Sequence, residues 1–119
     1  MKRVCIESPF AGDVERNKLY LKYCVLDCFA RDEAPYASHG FYTQFLNDLN
    51  PEERKRGIRM GLDWGNCATL RVFYMDYGMS SGMKEAYDEA LNINQPYEYR
   101  CVEGTLKQAY LEELQRSQS

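Results

Sequence analysis

The 119-residue sequence has no long apolar run, no Cys-x-x-Cys pair, one histidine, one tryptophan and no excess of basic residues. Its apolar stretches are short and broken, as at Tyr23 to Leu26, whereas crossing a bilayer takes about 20 residues. Met1-Lys2-Arg3 is followed only by Val4-Cys5-Ile6 before Glu7 intervenes, so no secretory leader is expected. The five cysteines (Cys5, Cys24, Cys28, Cys67 and Cys101) are odd in number, and His39 cannot complete a zinc set with thiols so scattered. No metal and no cofactor is expected. The thiols should be reduced and mostly buried, in a cytoplasmic protein. Lys plus Arg number 15 against 18 Asp plus Glu, a net charge of −3, which argues against attraction to a nucleic-acid polymer or an anionic membrane. A local cationic pocket for a small anion remains compatible with that balance.

What is present is an ordinary globular mixture, 45% hydrophobic and 13% aromatic, of a length that suits one domain over residues 1–119. No repeat, low-complexity tract or linker interrupts it. Residues 2–7 read as a first strand ended by Ser8-Pro9. Asp13 is placed to cap a helix from Val14 to about Arg31, with Leu21, Cys24, Val25, Cys28 and Phe29 as its apolar stripe. Residues 34–38 form a short strand candidate, and 41–49 a short helix or ordered loop. Asn50-Pro51-Glu52-Glu53 carries a cap, a first-turn proline and a capping-box glutamate for a helix to about Asn66, with Ile58, Gly61 and Leu62 inward. Arg54, Lys55, Arg56 and Arg59 fall mostly outside that stripe, as a solvated face. Trp64 reads as core or interface packing.

Residues 69–75 are rich in β-formers and read as a central strand. Ser80 or Ser81 can cap a helix with Met83, Ala86, Tyr87, Ala90 and Leu91 on one stripe. Residues 96–101 form a last strand, and a helix follows from Thr105 to about Gln115, leaving 116–119 as a loose end. This alternation predicts an α/β fold, a Rossmann-like or flavodoxin-like three-layer sandwich with a four- or five-stranded, mainly parallel sheet.

Such a sheet binds ligands at the carboxyl ends of its strands, near a topological switch point. Two turns are expected there: Ser8-Pro9-Phe10-Ala11-Gly12-Asp13, and Asp76-Tyr77-Gly78-Met79-Ser80-Ser81-Gly82. The second offers two hydroxyls and free amides at a helix start, which suit a phosphate or carboxylate, and Gly82 lets a ligand approach the backbone. Asp76 could orient a ligand hydroxyl or simply cap its loop, and Tyr77 could stack on a base. His39, after the second strand, is either a site residue or a hydrogen-bonded structural one. Arg16 and Asn17 open the first helix where a phosphate or ribose would sit.

The strand ending in Ser8-Pro9-Phe10, the Gly12-Asp13 and Arg16-Asn17 pairs, and Ser80-x-Gly82-Met83 at a helix start together resemble the nucleoside 2-deoxyribosyltransferase-like superfamily. Residues 33–39, 42–48 and 52–54 look like an uncharacterised, often phage-encoded branch of it, and the resemblance runs from about Lys2 to Arg100. It implies a Rossmann-like fold, a nucleoside or nucleotide ligand and a homo-oligomer. In catalytic branches a glutamate on the helix after the glycine loop attacks the sugar's anomeric carbon, and a glycosyl-enzyme ester forms. In the monophosphate-hydrolase branch, serines matching Ser80 and Ser81 hold the 5′-phosphate.

The superfamily spacing Ser-x-Gly-x-x-x-Glu, counted from Ser80, lands on Ala86; Glu85 comes one residue early and Glu89 three late. One residue turns a helix by about 100°, so Glu85 should face away from the expected direction. Two readings follow. In one, the protein is an N-glycosidase or deoxyribosyltransferase with Glu85 as nucleophile, assisted by Asp76 or Tyr77. In the other, a non-catalytic pocket sequesters a nucleotide immune signal, such as an ADP-ribose derivative, for a phage anti-defence role. A protein-interaction module is a third possibility.

Overall fold

The computed structural model describes residues 1–118. Its elements follow the order β1 (Arg3–Glu7), α1 (Val14–Ala30), β2 (Ala34–Tyr36), α2 (Ser38–Phe41), a 3-10 turn (Tyr42–Gln44), α3 (Pro51–Gly65), β3 (Leu70–Tyr74), α4 (Ser81–Asn92), β4 (Tyr97–Arg100) and α5 (Gly104–Gln118). The four strands form one parallel sheet in the order β2-β1-β3-β4. Cys5 pairs with Tyr36 on one side and Arg71 on the other, and Glu7 pairs with Phe73.

Side chains alternate across a strand, so this register sorts the sheet into two faces. Val4, Ile6, Val72 and Tyr74 pack with Tyr20, Cys24 and Cys28 of α1 and Tyr110 of α5. On the other face Phe73 packs with Met83 and Ala86 of α4 and with Leu62 of α3. The architecture is the three-layer α/β sandwich of Rossmann and flavodoxin type, with β3 buried along its whole length.

Local chemistry sets the element boundaries. The Asp13 carboxylate accepts the Arg16 amide and starts α1, and Asn50 accepts the amides of Glu52 and Glu53 ahead of Pro51. Glu53 reaches beyond Asn50 and accepts the Asn47 amide instead (3.0 Å). The α1 stripe sits one position round from the expected one. Phe29 is 59% exposed, while Tyr20, Tyr23 and Asp27 are buried. These residues are tolerated inside because their polar atoms are paired: the Tyr74 hydroxyl donates to Asp27 (2.7 Å) and that of Tyr23 to Glu113. Trp64, 62% exposed, belongs to no core. Leu91 is exposed as well, and α5 continues through residues 116–118, which were expected to be loose. Three cysteines are buried, Cys67 and Cys101 are exposed, and all five are free thiols.

Candidate functional site

The strand order turns at β1 and β3, where the chain leaves the sheet in opposite directions, and this is where a crevice opens in such sheets. The two turns meet there. A cleft of about 110 Å³ is lined by Glu7, Ser8, Phe10 and Ala11 from the end of β1 and by Ser80, Ser81, Gly82 and Met83 from the start of α4. Ser38, His39 and Thr43 wall it on one side, and Asp48, Arg54, Ile58, Gly61 and Leu62 close the rest.

Each wall has a structural cause. Asn17, almost fully buried, donates from Nδ2 to the carbonyls of Phe10 (2.9 Å) and Ala11 (3.1 Å) and fixes the first turn. A Cβ on Gly61 would lie 2.3 Å from Ser38 Oγ, so only glycine lets α2 settle on α3 and bring His39 to the cleft. Ser80 Oγ accepts the Met83 amide (3.2 Å), and the Met83 sulfur faces the Ser80 amide in return. That arrangement leaves the Ser81 and Gly82 amides unclaimed at the positive end of α4. A Cβ added at Gly82 would meet nothing within 4 Å.

His39 Nε2 hydrogen-bonds with Ser8 Oγ at 2.7 Å. Burial pushes the imidazole down to about 4, so the ring is neutral at pH 7. Arg54 is the cation of the cleft, with its guanidinium 3.7 Å from Asp48.

Sequence reasoning missed Glu7 and Arg54. Glu7 ends β1 on the face that carries Arg71, and its Oε2 lies 3.9 Å from Arg71 Nη1. Neither atom has a hydrogen-bond partner, although both are buried. Desolvation outweighs the attraction of Arg71 and raises the Glu7 carboxyl to about 7. Arg71 is completely buried, held by Gln95 Oε1 (2.8 Å) and Asn66 Oδ1 (2.9 Å).

Other expected site residues lie elsewhere. Asp76 accepts the Tyr20 hydroxyl (2.5 Å) and the Val102 amide (2.9 Å), which ties β3 to α1 and the start of α5. Tyr77 carries the Arg16 guanidinium 3.9 Å above its ring and hydrogen-bonds with the Tyr110 hydroxyl, on the α1 and α5 layer. Asp13 and Gly12 are exposed on the rim of the first turn, Asp13 as a helix cap, and Pro9 is buried beside it. Glu85 is exposed on α4 outside the cleft, and Ala86, in the superfamily register, is buried against Phe73 and Met83. No carboxylate of α4 therefore lines the cleft; those that do are Glu7, at the end of β1, and Asp48.

A family model described as a domain of unknown function, DUF7768, matches residues 2–100. The chain belongs to that family. The match spans all four strands and both turns of the cleft, so the site lies within the DUF7768 domain itself. No curated protein and no solved structure matches the chain. Among the described residues, no cluster of three His, Cys, Asp or Glu side chains could hold a metal ion. The start of this cleft's α4 wall presents the Ser81 and Gly82 amides, and the rest of the lining brings the Arg54 guanidinium, the Asp48 carboxylate and the Glu7 carboxyl, raised to about 7, to the same space.

Proposed function

We propose that this DUF7768 domain binds a nucleoside 5′-phosphate, with the phosphate on the Ser81 and Gly82 amides and the Ser81 hydroxyl. The observation that carries this reading is the meeting of Phe10 and Gly82 in one cleft at the β1/β3 switch point. Arg54 supplies a balancing charge. The same residues support kinship with the nucleoside 2-deoxyribosyltransferase-like superfamily. The binding role is favoured over turnover by Glu85, because that side chain is exposed outside the cleft. The cleft's 110 Å³ is smaller than the roughly 300–1,000 Å³ of complete small-molecule sites. The sugar and phosphate fill it and the base projects outward, where a second copy of the chain would supply the missing wall.

Calorimetry against a panel of nucleoside 5′-monophosphates and ADP-ribose derivatives tests the proposal, with chromatography of the recovered ligand. Binding of at least one phosphate ester, recovered intact, is the expected result. Absence of binding across the panel contradicts it, and release of free base moves the protein to the N-glycosidase reading. Light scattering with and without ligand tests the homo-oligomer.

A further inference from the structure

The floor of the cleft poses a hydrogen-bonding problem that the chain leaves unsolved. Arg71 Nη1 and Glu7 Oε2 are buried and face each other as a long ion pair at 3.9 Å with no hydrogen-bond partner, while every other buried polar side-chain atom among the described residues is satisfied. Unpaired buried polar atoms are costly and rare in native proteins, and a bound group that completes them is one physical reason for their retention. Glu7 lines the cleft and Arg71 lies behind it, outside the lining, so a group reaches the pair only from the cleft and only as the Glu7 side chain turns to meet it.

The missing partner has a defined chemistry. It must pair with a carboxyl that titrates near 7 and stand beside a guanidinium: a hydroxyl pairs with Glu7 in either protonation state and accepts from Arg71, whereas a phosphate oxygen pairs only with the protonated acid. An anion there would meet the Glu7 charge whenever the carboxyl is ionised, and an apolar group would leave both atoms unpaired. The phosphate-binding end of the cleft, at Ser81 and Gly82, is a separate wall from the Glu7 floor. One ligand therefore spans an anion site and a hydroxyl site inside a small volume.

We infer that Glu7, backed by Arg71, recognises a hydroxyl of a phosphorylated sugar, so that the unit gripped by the cleft is a sugar phosphate rather than a phosphate alone or a base. The inference rests on the reading of the α4 start as the phosphate site, and goes beyond it by naming the group that selects the sugar. Glu7 is a binding residue here, and no bond is made or broken.

Titration calorimetry with ribose 5-phosphate and with methyl phosphate, a monoester that lacks a hydroxyl, tests it. In the unaltered protein ribose 5-phosphate should bind more tightly by about tenfold or more, the range of a hydrogen bond to a charged group. In Glu7→Gln and in the apolar Glu7→Met, both first checked for cooperative melting, the two affinities should come within about threefold of each other. Equal affinities in the unaltered protein, or discrimination that survives both substitutions, overturn the assignment of Glu7 while leaving the phosphate site standing. Failure of both monoesters to bind the unaltered protein overturns both.

Discussion

His39 Nε2 stands 2.7 Å from Ser8 Oγ, a contact between residues 31 positions apart that joins α2 to the end of β1. Through it the neutral imidazole and the near-neutral Glu7 carboxyl share one wall of the cleft, and their titrations oppose each other. Glu7 is raised from 4.5 to about 7, so between those values the folded protein holds more protons than the unfolded chain and stability falls as pH rises. His39 is lowered from 6.5 to about 4, so over that window the folded protein holds fewer protons and stability rises with pH. Glu7→Gln removes the first effect. Relative to the unaltered protein, it should gain about 3 kcal/mol between pH 4.5 and pH 7. His39→Asn should gain relative stability in the opposite direction, as pH falls from 6.5 to 4. Urea unfolding at several pH values measures both; curves parallel to that of the unaltered protein would reject the buried, perturbed states of these groups.

Gly65 is the floor beneath Arg71. A Cβ there would lie 2.7 Å from Arg71 Nη2 and 3.0 Å from Cys5 Sγ, and the guanidinium, already held by Gln95 and Asn66, has nowhere to go. Gly65→Ala should cost about 1–3 kcal/mol by overpacking. Chemical denaturation checks this, and a neutral result would mean that Arg71 is free to shift.

Arg100 Nη1 and Nη2 donate to the two Glu33 oxygens at 2.7 and 2.8 Å, with both side chains more than nine-tenths buried. Glu98 also accepts from Arg100 Nε at 2.9 Å, so removing Glu33 leaves the guanidinium one carboxylate, whereas removing Arg100 strands the Glu33 charge. Arg100→Ala should destabilise by about 3–5 kcal/mol and Glu33→Ala by less, while joint replacement of the Glu33–Arg100 pair by apolar residues of similar size should cost far less than Arg100→Ala. A double-mutant cycle in denaturant separates the two.

Asp76 and Glu85 should behave as opposites. Asp76→Ala removes the acceptor shared by Tyr20 and Val102 and should cost about 1–3 kcal/mol. Glu85→Gln, on an exposed helix face, should stay within about 0.5 kcal/mol of the unaltered protein and bind ligand equally well. Thermal melts and calorimetry on the two variants check the pair; weakened binding in Glu85→Gln would return that residue to the site.

The alternation of strands and helices, the caps at Asp13, Asn50 and Ser80, and the central place of β3 are legible in the sequence because each rests on short-range chemistry. So is the meeting of the two turns, which follows from parallel connections. The lining of the cleft is less legible. Glu7 reads in sequence as a polar strand end, and only the position of β1 between β2 and β3, with helices on both faces, puts it inside. Strand parity carries the rest: Glu7 shares its face with Arg71 and Phe73, whereas Asp76 follows Tyr74 toward α1. Arg54 looks solvated on its own helix, and reaches the cleft because α2 and the turn after it fold back over α3.

The central claim is that the start of α4, facing the turn after β1, holds the phosphate of a nucleotide. Its most direct test is a titration of the isotope-labelled protein with a nucleoside 5′-monophosphate, followed through backbone amide resonances, alongside Gly82→Phe, whose side chain meets open space. The account predicts the largest shifts at Ser81 and Gly82 with smaller ones at Phe10 and Ala11, and their loss in a Gly82→Phe variant that still melts cooperatively. Shifts confined to other surfaces, or undiminished in Gly82→Phe, would contradict it.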